Sequence, residues 1–82
     1  MDKPIGKVIH YYDKAGVAVL ELGKALHVGD TIKFVGKDTE FTQKVESLQI
    51  EHEQVQEAKK GDSVGLKVDQ KVKDGVEVFL AS

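Results

Sequence analysis

Leu26-His27-Val28-Gly29-Asp30-Thr31-Ile32-Lys33-Phe34 is the stretch on which the reading of this chain turns. Gly29 can take the positive φ that a tight turn needs, and Asp30 can hydrogen-bond the nearby backbone, so the corner ends one apolar strand and starts the next. The signal recurs at Lys60-Gly61-Asp62, ahead of Ser63-Val64-Gly65-Leu66, and Lys73-Asp74-Gly75 precedes Val76-Glu77-Val78. A β-branched residue strains a positive-φ turn, so valine at Gly29 is expected to be far more damaging than valine at Gly36.

Outward from that corner the chain reads as strands. Residues 5–12 follow Pro4, which cannot donate a ladder hydrogen bond and suits a strand's first positions. Alternation there places Val8, His10 and Tyr12 on one face and Ile9 and Tyr11 on the other. Asp13-Lys14-Ala15-Gly16 is a hairpin turn, and residues 17–22 form a nearly continuous apolar strand that Gly23-Lys24 breaks. Residues 31–35 make strand three, and residues 36–40 a polar loop. Residues 41–50 read as one long strand whose alternation changes phase before Leu48, as a β-bulge would cause.

Residues 51–60 carry only Val55 and Ala58 as apolar members, too few for a helix to bury, so they are expected to form an irregular connection with at most one helical turn. Val64, Leu66 and Val68 give strand five, and Val76, Val78 and Leu80 strand six. The expected fold is all-β, a six-stranded closed Greek-key-like β-barrel, in a single domain over residues 1–82. Its interior is expected to hold Val8, Val19, Ile32, Phe34, Val45, Leu66, Val68 and Val78.

A chain of 82 residues buries only about 60–65% of its unfolded surface, so one core must suffice. It has no cysteine, hence neither a disulfide nor a thiolate metal site. No apolar run reaches the length of a signal peptide or the roughly 20 residues of a membrane span, which leads to a cytoplasmic protein without membrane contact as the expectation. The formal charge is −2, and all 12 basic residues are lysine against 14 acids. Without arginine's planar fork, sequence-specific reading of nucleic acid is disfavoured, although lysine still neutralises phosphates.

The order of signals resembles the second, β-barrel domain of translation GTPases such as elongation factor Tu, elongation factor 1-alpha and initiation factor 2. Gly6-Lys7-Val8 is similar to the family's opening G-x-V, and Leu26 to Asp30 to its L-x-V-G-D corner. Lys44-Val45-Glu46-Ser47-Leu48-Gln49 resembles K-V-x-S-I-Q, Ala58 to Leu66 resembles A-x-x-G-D-x-V-G-L, and Val72 to Val78 stands where the family's last strand lies. The chain departs from the family at Val19-Leu20-Glu21-Leu22-Gly23-Lys24, where the glycine of G-x-V-x-x-G is displaced by one position. A similar barrel occurs as an accessory domain of U32-family peptidases.

The resemblance implies a non-enzymatic binding module, here as a stand-alone domain, associating with tRNA, rRNA or a protein of the translation machinery. A protein-interaction or assembly module is the alternative, as a detached accessory domain of a U32-type peptidase or a homodimeric barrel. No cofactor is expected. Gly6-Lys7, Gly23-Lys24 and Gly36-Lys37 are not followed by Ser or Thr, so the chain lacks a phosphate-cradling loop and is not expected to bind GTP. Asp13 to Gly16 matches a loose D-x-x-G but reads as a turn.

The remaining polar residues give little chemistry. No two of His10, His27 and His52 share a close spacing, and catalytic zinc sites mostly want two or three histidines with a carboxylate, so no metal site is expected, and His27 reads as a solvated turn residue. Glu46, Glu51, Glu53 and Glu57 lie in polar surroundings, whereas acid–base pairs need one carboxyl in an apolar pocket. No serine has a G-x-S-x-G context. One of Tyr11 and Tyr12 must face outward, and an outward aromatic is a stacking platform or a partner anchor. Tyr12, with the basic patch of Lys67, Lys71 and Lys73, is therefore the expected partner-binding set.

Overall fold

The computed structural model describes residues 3–51 and 53–81, and among them every regular element is a strand. The ten strands are β1 (Gly6–Tyr12), β2 (Val17–Leu22), β3 (Leu26–His27), β4 (Thr31–Val35), β5 (Glu40–Lys44), β6 (Leu48–Ile50), β7 (Glu53–Val55), β8 (Glu57–Ala58), β9 (Ser63–Lys67) and β10 (Glu77–Leu80). Eight form one antiparallel sheet in the order β5-β4-β10-β1-β2-β9-β6-β7, and β3 pairs with β8 in a separate ribbon. No helix among the described residues is long and apolar enough to cross a membrane.

The expected all-β, barrel-like fold is present, but the sheet is a strongly curled half-barrel with β5 and β7 at its ends, not a closed six-stranded barrel. Curling still makes it compact: the Cα radius of gyration is 11.1 Å, against about 12 Å for a compact chain of this length. Where the ladder stops, one side chain continues it. Gln43 of β5 is buried, its Nε2 donates to the Lys67 carbonyl at 2.8 Å, and its Oε1 accepts from the Asp69 N–H at 2.9 Å. That joins β5 to the end of β9.

The two Gly-Asp corners share one geometry. Gly29 and Gly61 have φ of 98° and 92°, where a Cβ is strained. At the first corner the His27 N–H donates to Asp30 Oδ2 at 2.9 Å, and the Asp30 N–H returns to the His27 carbonyl at 3.1 Å. At the second, Lys59 and Asp62 repeat both bonds, at 2.9 and 3.0 Å. Each corner also clamps one distant buried residue. The Gly29 N–H donates to the Val45 carbonyl and the Val45 N–H to the Asp30 carbonyl, both at 2.8 Å. Gly61, Asp62 and Leu22 repeat this at 2.9 and 3.0 Å. The short strands just before the corners, β3 and β8, pair with each other.

The first clamp explains a correction. The long strand expected over residues 41–50 is two strands, because the β4–β5 ladder ends where Val45, still in register opposite Asp30, is held by the corner, and β6 then pairs with β9 and β7. Residues 51–60, expected to be irregular, hold β7 and β8. The bulge lies in β1 instead: the register advances from Val8 opposite Leu20 to His10 opposite Val19, leaving Ile9 as the extra residue. Beyond it the faces swap, so Tyr11 packs against the core while His10 and Tyr12 are exposed.

The core is continuous across the sheet. Val8, Leu20 and Val64 share one interior row, and Ala18 and Leu66 another. Phe34 is fully buried, lies opposite Val78, and stacks on Phe41 with ring centroids 4.8 Å apart. Of the expected interior set only Val19 is misplaced. Ala18, Leu20 and Leu22 are the inward residues of β2, and Val19 is half-buried on the opposite face. Val72 and Val76, from the connection between β9 and β10, close one side of the core.

Phe34→Ala is expected to lower the unfolding free energy by about 3–5 kcal/mol in a urea titration, and a loss below about 1 kcal/mol would contradict its place in the core. Gly36 is not the tolerant position its polar loop suggests, since a Cβ there would stand 2.8 Å from the Cγ2 of buried Val76. Gly36→Ala should therefore couple to Val76→Ala by about 0.5–3 kcal/mol in a double-mutant cycle. Gly29→Ala has open space around its Cβ. It should cost about 1–2 kcal/mol through its backbone alone, with no coupling to Val76→Ala.

Candidate interaction groove

Strand register decides which side chains share the outer face over β1, β2, β9 and β6. One outward row runs His10, Val19, Gly65, Gln49 and Gln54, each directly opposite the next. A second runs Tyr12, Val17 and Lys67. A third runs Glu77, Lys7, Glu21 and Ser63. Gly65 presents no side chain in the middle of this face, and a Cβ there would meet Val17 Cγ1 at 3.4 Å. The missing side chain leaves a groove.

The groove encloses about 470 Å³. Tyr12, Ala15 and Val17 line one end, Val19 and Gly65 the floor, and Gln49, Glu51 and Ser63 the other end. Its aromatic wall is ordered by contact: the rings of Tyr12 and His10 meet edge to face with centroids 4.3 Å apart, while Tyr12 stays 53% exposed. The hairpin beneath it is held by the Gly16 N–H donating to the Tyr12 carbonyl at 2.9 Å. At the far end Glu51, in the turn between β6 and β7, has a φ of 52°. Glycine or asparagine is the ordinary occupant of such a position. The lining thus combines an apolar floor with one carboxylate and no lysine.

The residues singled out from the sequence do not converge. Tyr12 lines the groove, and Lys67 lies on β9 directly opposite Val17, two strands from Tyr12 and outside the lining. Lys71 is exposed on the connection between β9 and β10. Lys73 borders a separate hollow of about 260 Å³ with Lys37, Asp38, Thr39 and Asp74. From the sequence, Gln49 and Gly65 are not singled out for a site, Glu51 reads as a solvated acid and Val19 as an interior residue. The one available signal was Gly65 inside the Val64-Gly65-Leu66 alternation, since glycine in a strand marks a close approach or a gap.

The other polar groups are dispersed. His27 pairs across the β3–β8 ribbon, with Nε2 3.0 Å from Glu57 Oε2 and Nδ1 3.7 Å from Asp30 Oδ2, all partly or well exposed. His52 lies outside the described residues, and among those described no three His, Cys, Asp or Glu side chains are grouped to hold a metal ion.

The comparisons with known proteins agree on the barrel. The family model for elongation factor Tu domain 2 matches residues 25–78, a span that contains both Gly-Asp corners. An uncharacterized protease of Methanocaldococcus jannaschii is 44% identical over 77 residues, covering 93% of this chain and 19% of that protein. A collagenase of Porphyromonas gingivalis is 35% identical over 77 residues, covering 92% of this chain and 21% of that protein. The chain therefore spans about a fifth of the length of these relatives. Among solved structures, the C-terminal domain of a Geobacillus thermoleovorans U32 peptidase superposes with a TM-score of 0.91 at 21% identity, covering 99% of this chain and 93% of that one. Its selenomethionine variant gives 0.89 at 22% identity, covering 94% and 98%. The matched span, the barrel and the paired corners place the chain in the elongation factor Tu domain 2 family.

Proposed function

We propose that this chain is the accessory barrel of a U32-type peptidase system, a non-catalytic module that holds a partner polypeptide in the groove between Tyr12 and Glu51. One observation carries this reading: 44% identity runs through nearly the whole barrel, yet the barrel makes up 19% of the protease that shares it. The chemistry of cleavage then belongs to the remainder of such a protein. The barrel contributes binding.

The groove supports a binding role on physical grounds. Its volume of about 470 Å³ falls within the ~300–1,000 Å³ typical of ligand sites. An exposed tyrosine braced by a neighbouring ring is a rigid anchor that loses little side-chain entropy on contact. The reading as a module for tRNA, rRNA or another translation component keeps two points in its favour, the family itself and the row that joins Tyr12 to Lys67. It is the weaker reading, because Lys73 borders another hollow and a carboxylate lines this one.

The test uses the Porphyromonas gingivalis collagenase assayed on gelatin. Deleting its matching segment should raise KM about tenfold with kcat within about twofold, equivalent to about 1.4 kcal/mol of lost substrate binding. Grafting this chain in its place should restore most of that loss. The account fails if the 82-residue chain cleaves gelatin by itself or if the deletion leaves KM unchanged.

A further inference from the structure

Resting on the accessory-barrel reading, we infer that the groove takes an extended segment of a partner polypeptide that carries a basic side chain beside an apolar one. Both halves of that specification come from the lining. At one end Tyr12 and Val17 offer an apolar wall, and Val19 with the bare Gly65 backbone leaves a floor on which a second chain can lie flat. At the other end stand Glu51 and Ser63.

Charge selects the occupant. The row that ends at Ser63 sets Glu21 directly opposite that serine, with Lys7 opposite Glu21 and Glu77 beyond it. Glu51 and Glu21 are thus the acids beside Ser63 at this end, and Lys7 lies one strand further from the groove than Glu21. None of the 12 lysines lines the groove itself. A phosphate backbone would meet repulsion at this end, whereas a lysine or arginine side chain would find a carboxylate beside a partly dehydrated apolar surface. An extended segment alternates its side chains, so one residue can lie against Tyr12 while another reaches Glu51.

The turn between β6 and β7 fixes where Glu51 stands. It occupies a positive-φ turn position where glycine or asparagine would fold with less strain. The carboxylate projects at the acidic end of the groove.

The experiment is an amide chemical-shift titration of the 82-residue chain with a blocked pentapeptide, a central arginine flanked on each side by valine and tyrosine. The expected result is a set of shifts centred on Val17, Val19, Gln49 and Gly65. Affinity should fall about tenfold when the arginine is replaced by glutamate, and about threefold for Glu51→Gln with the arginine peptide. Tyr12→Ala, a change at an exposed site, should weaken both peptides alike. Equal binding of the arginine and glutamate peptides, or shifts confined to residues outside the groove, would overturn the inference. So would a single-stranded oligonucleotide that shifts the same amides more strongly than the arginine peptide at low salt. If the graft into the collagenase restores KM while the arginine peptide fails, the basic segment is wrong and the accessory role stands. If the peptide binds as expected and the graft does nothing, the accessory role is wrong and the groove's chemistry stands.

Discussion

Two backbone clamps hold this fold in shape. Each Gly-Asp corner turns the chain with a positive-φ glycine, caps itself with the aspartate carboxylate, and brackets one remote residue with a pair of backbone hydrogen bonds. The bracketed residues, Val45 and Leu22, are buried, so the bonds are made away from water, where a lost partner leaves a polar group stranded. Sequence separation adds to the effect. Gly29 reaches forward to Val45 and Gly61 reaches back to Leu22, which ties the ends of β2 and β5 to the starts of β9 and β4. Pairing of β3 with β8 then joins the two corners to each other.

From those ties follow both the open sheet and the groove. Holding Val45 against the corner ends the β4–β5 ladder there, and the chain then crosses the barrel and enters β6 beside β9, so β5 stays at a sheet end and Gln43 bridges the remaining gap. Placing β6 next to β9 brings Gln49 opposite Gly65, and Glu51 to the rim of the same hollow. The groove is thus a by-product of how the core is closed. Its apolar floor rests on strands whose inner faces carry Ala18, Leu20, Val64 and Leu66, all buried, which gives the groove a rigid base.

Much of this was legible in the sequence, for local reasons. The corners announce themselves through glycine and aspartate, and clean alternation marks Ile32 and Phe34 or Val64 and Leu66 as inward residues. Where alternation fails, so does the reading. Residues 17–22 are apolar on both faces, and nothing in them says that Val19 points outward. The bulge at Ile9 and the break at Val45 are set by long-range register and by a corner sixteen positions away, neither of which has a residue signature. Strand β7 is too polar to stand out, since only β6 beside it makes Glu53-Gln54-Val55 extended. The groove was half visible: Tyr12 is conspicuous by type, whereas Glu51, Gln49 and Gly65 become neighbours of Val17 and Val19 only once four strands are in register.

Native-state hydrogen exchange at two amides tests the clamps most directly. If the corners hold the barrel together, the Val45 and Leu22 N–H groups exchange only through global unfolding, as slowly as ladder amides such as Val64. Asp30→Ala should then speed exchange at Val45, and Asp62→Ala at Leu22. Exchange of Val45 as fast as that of Lys37 or Asp38 in the exposed loop, in the unmutated chain, would contradict the account.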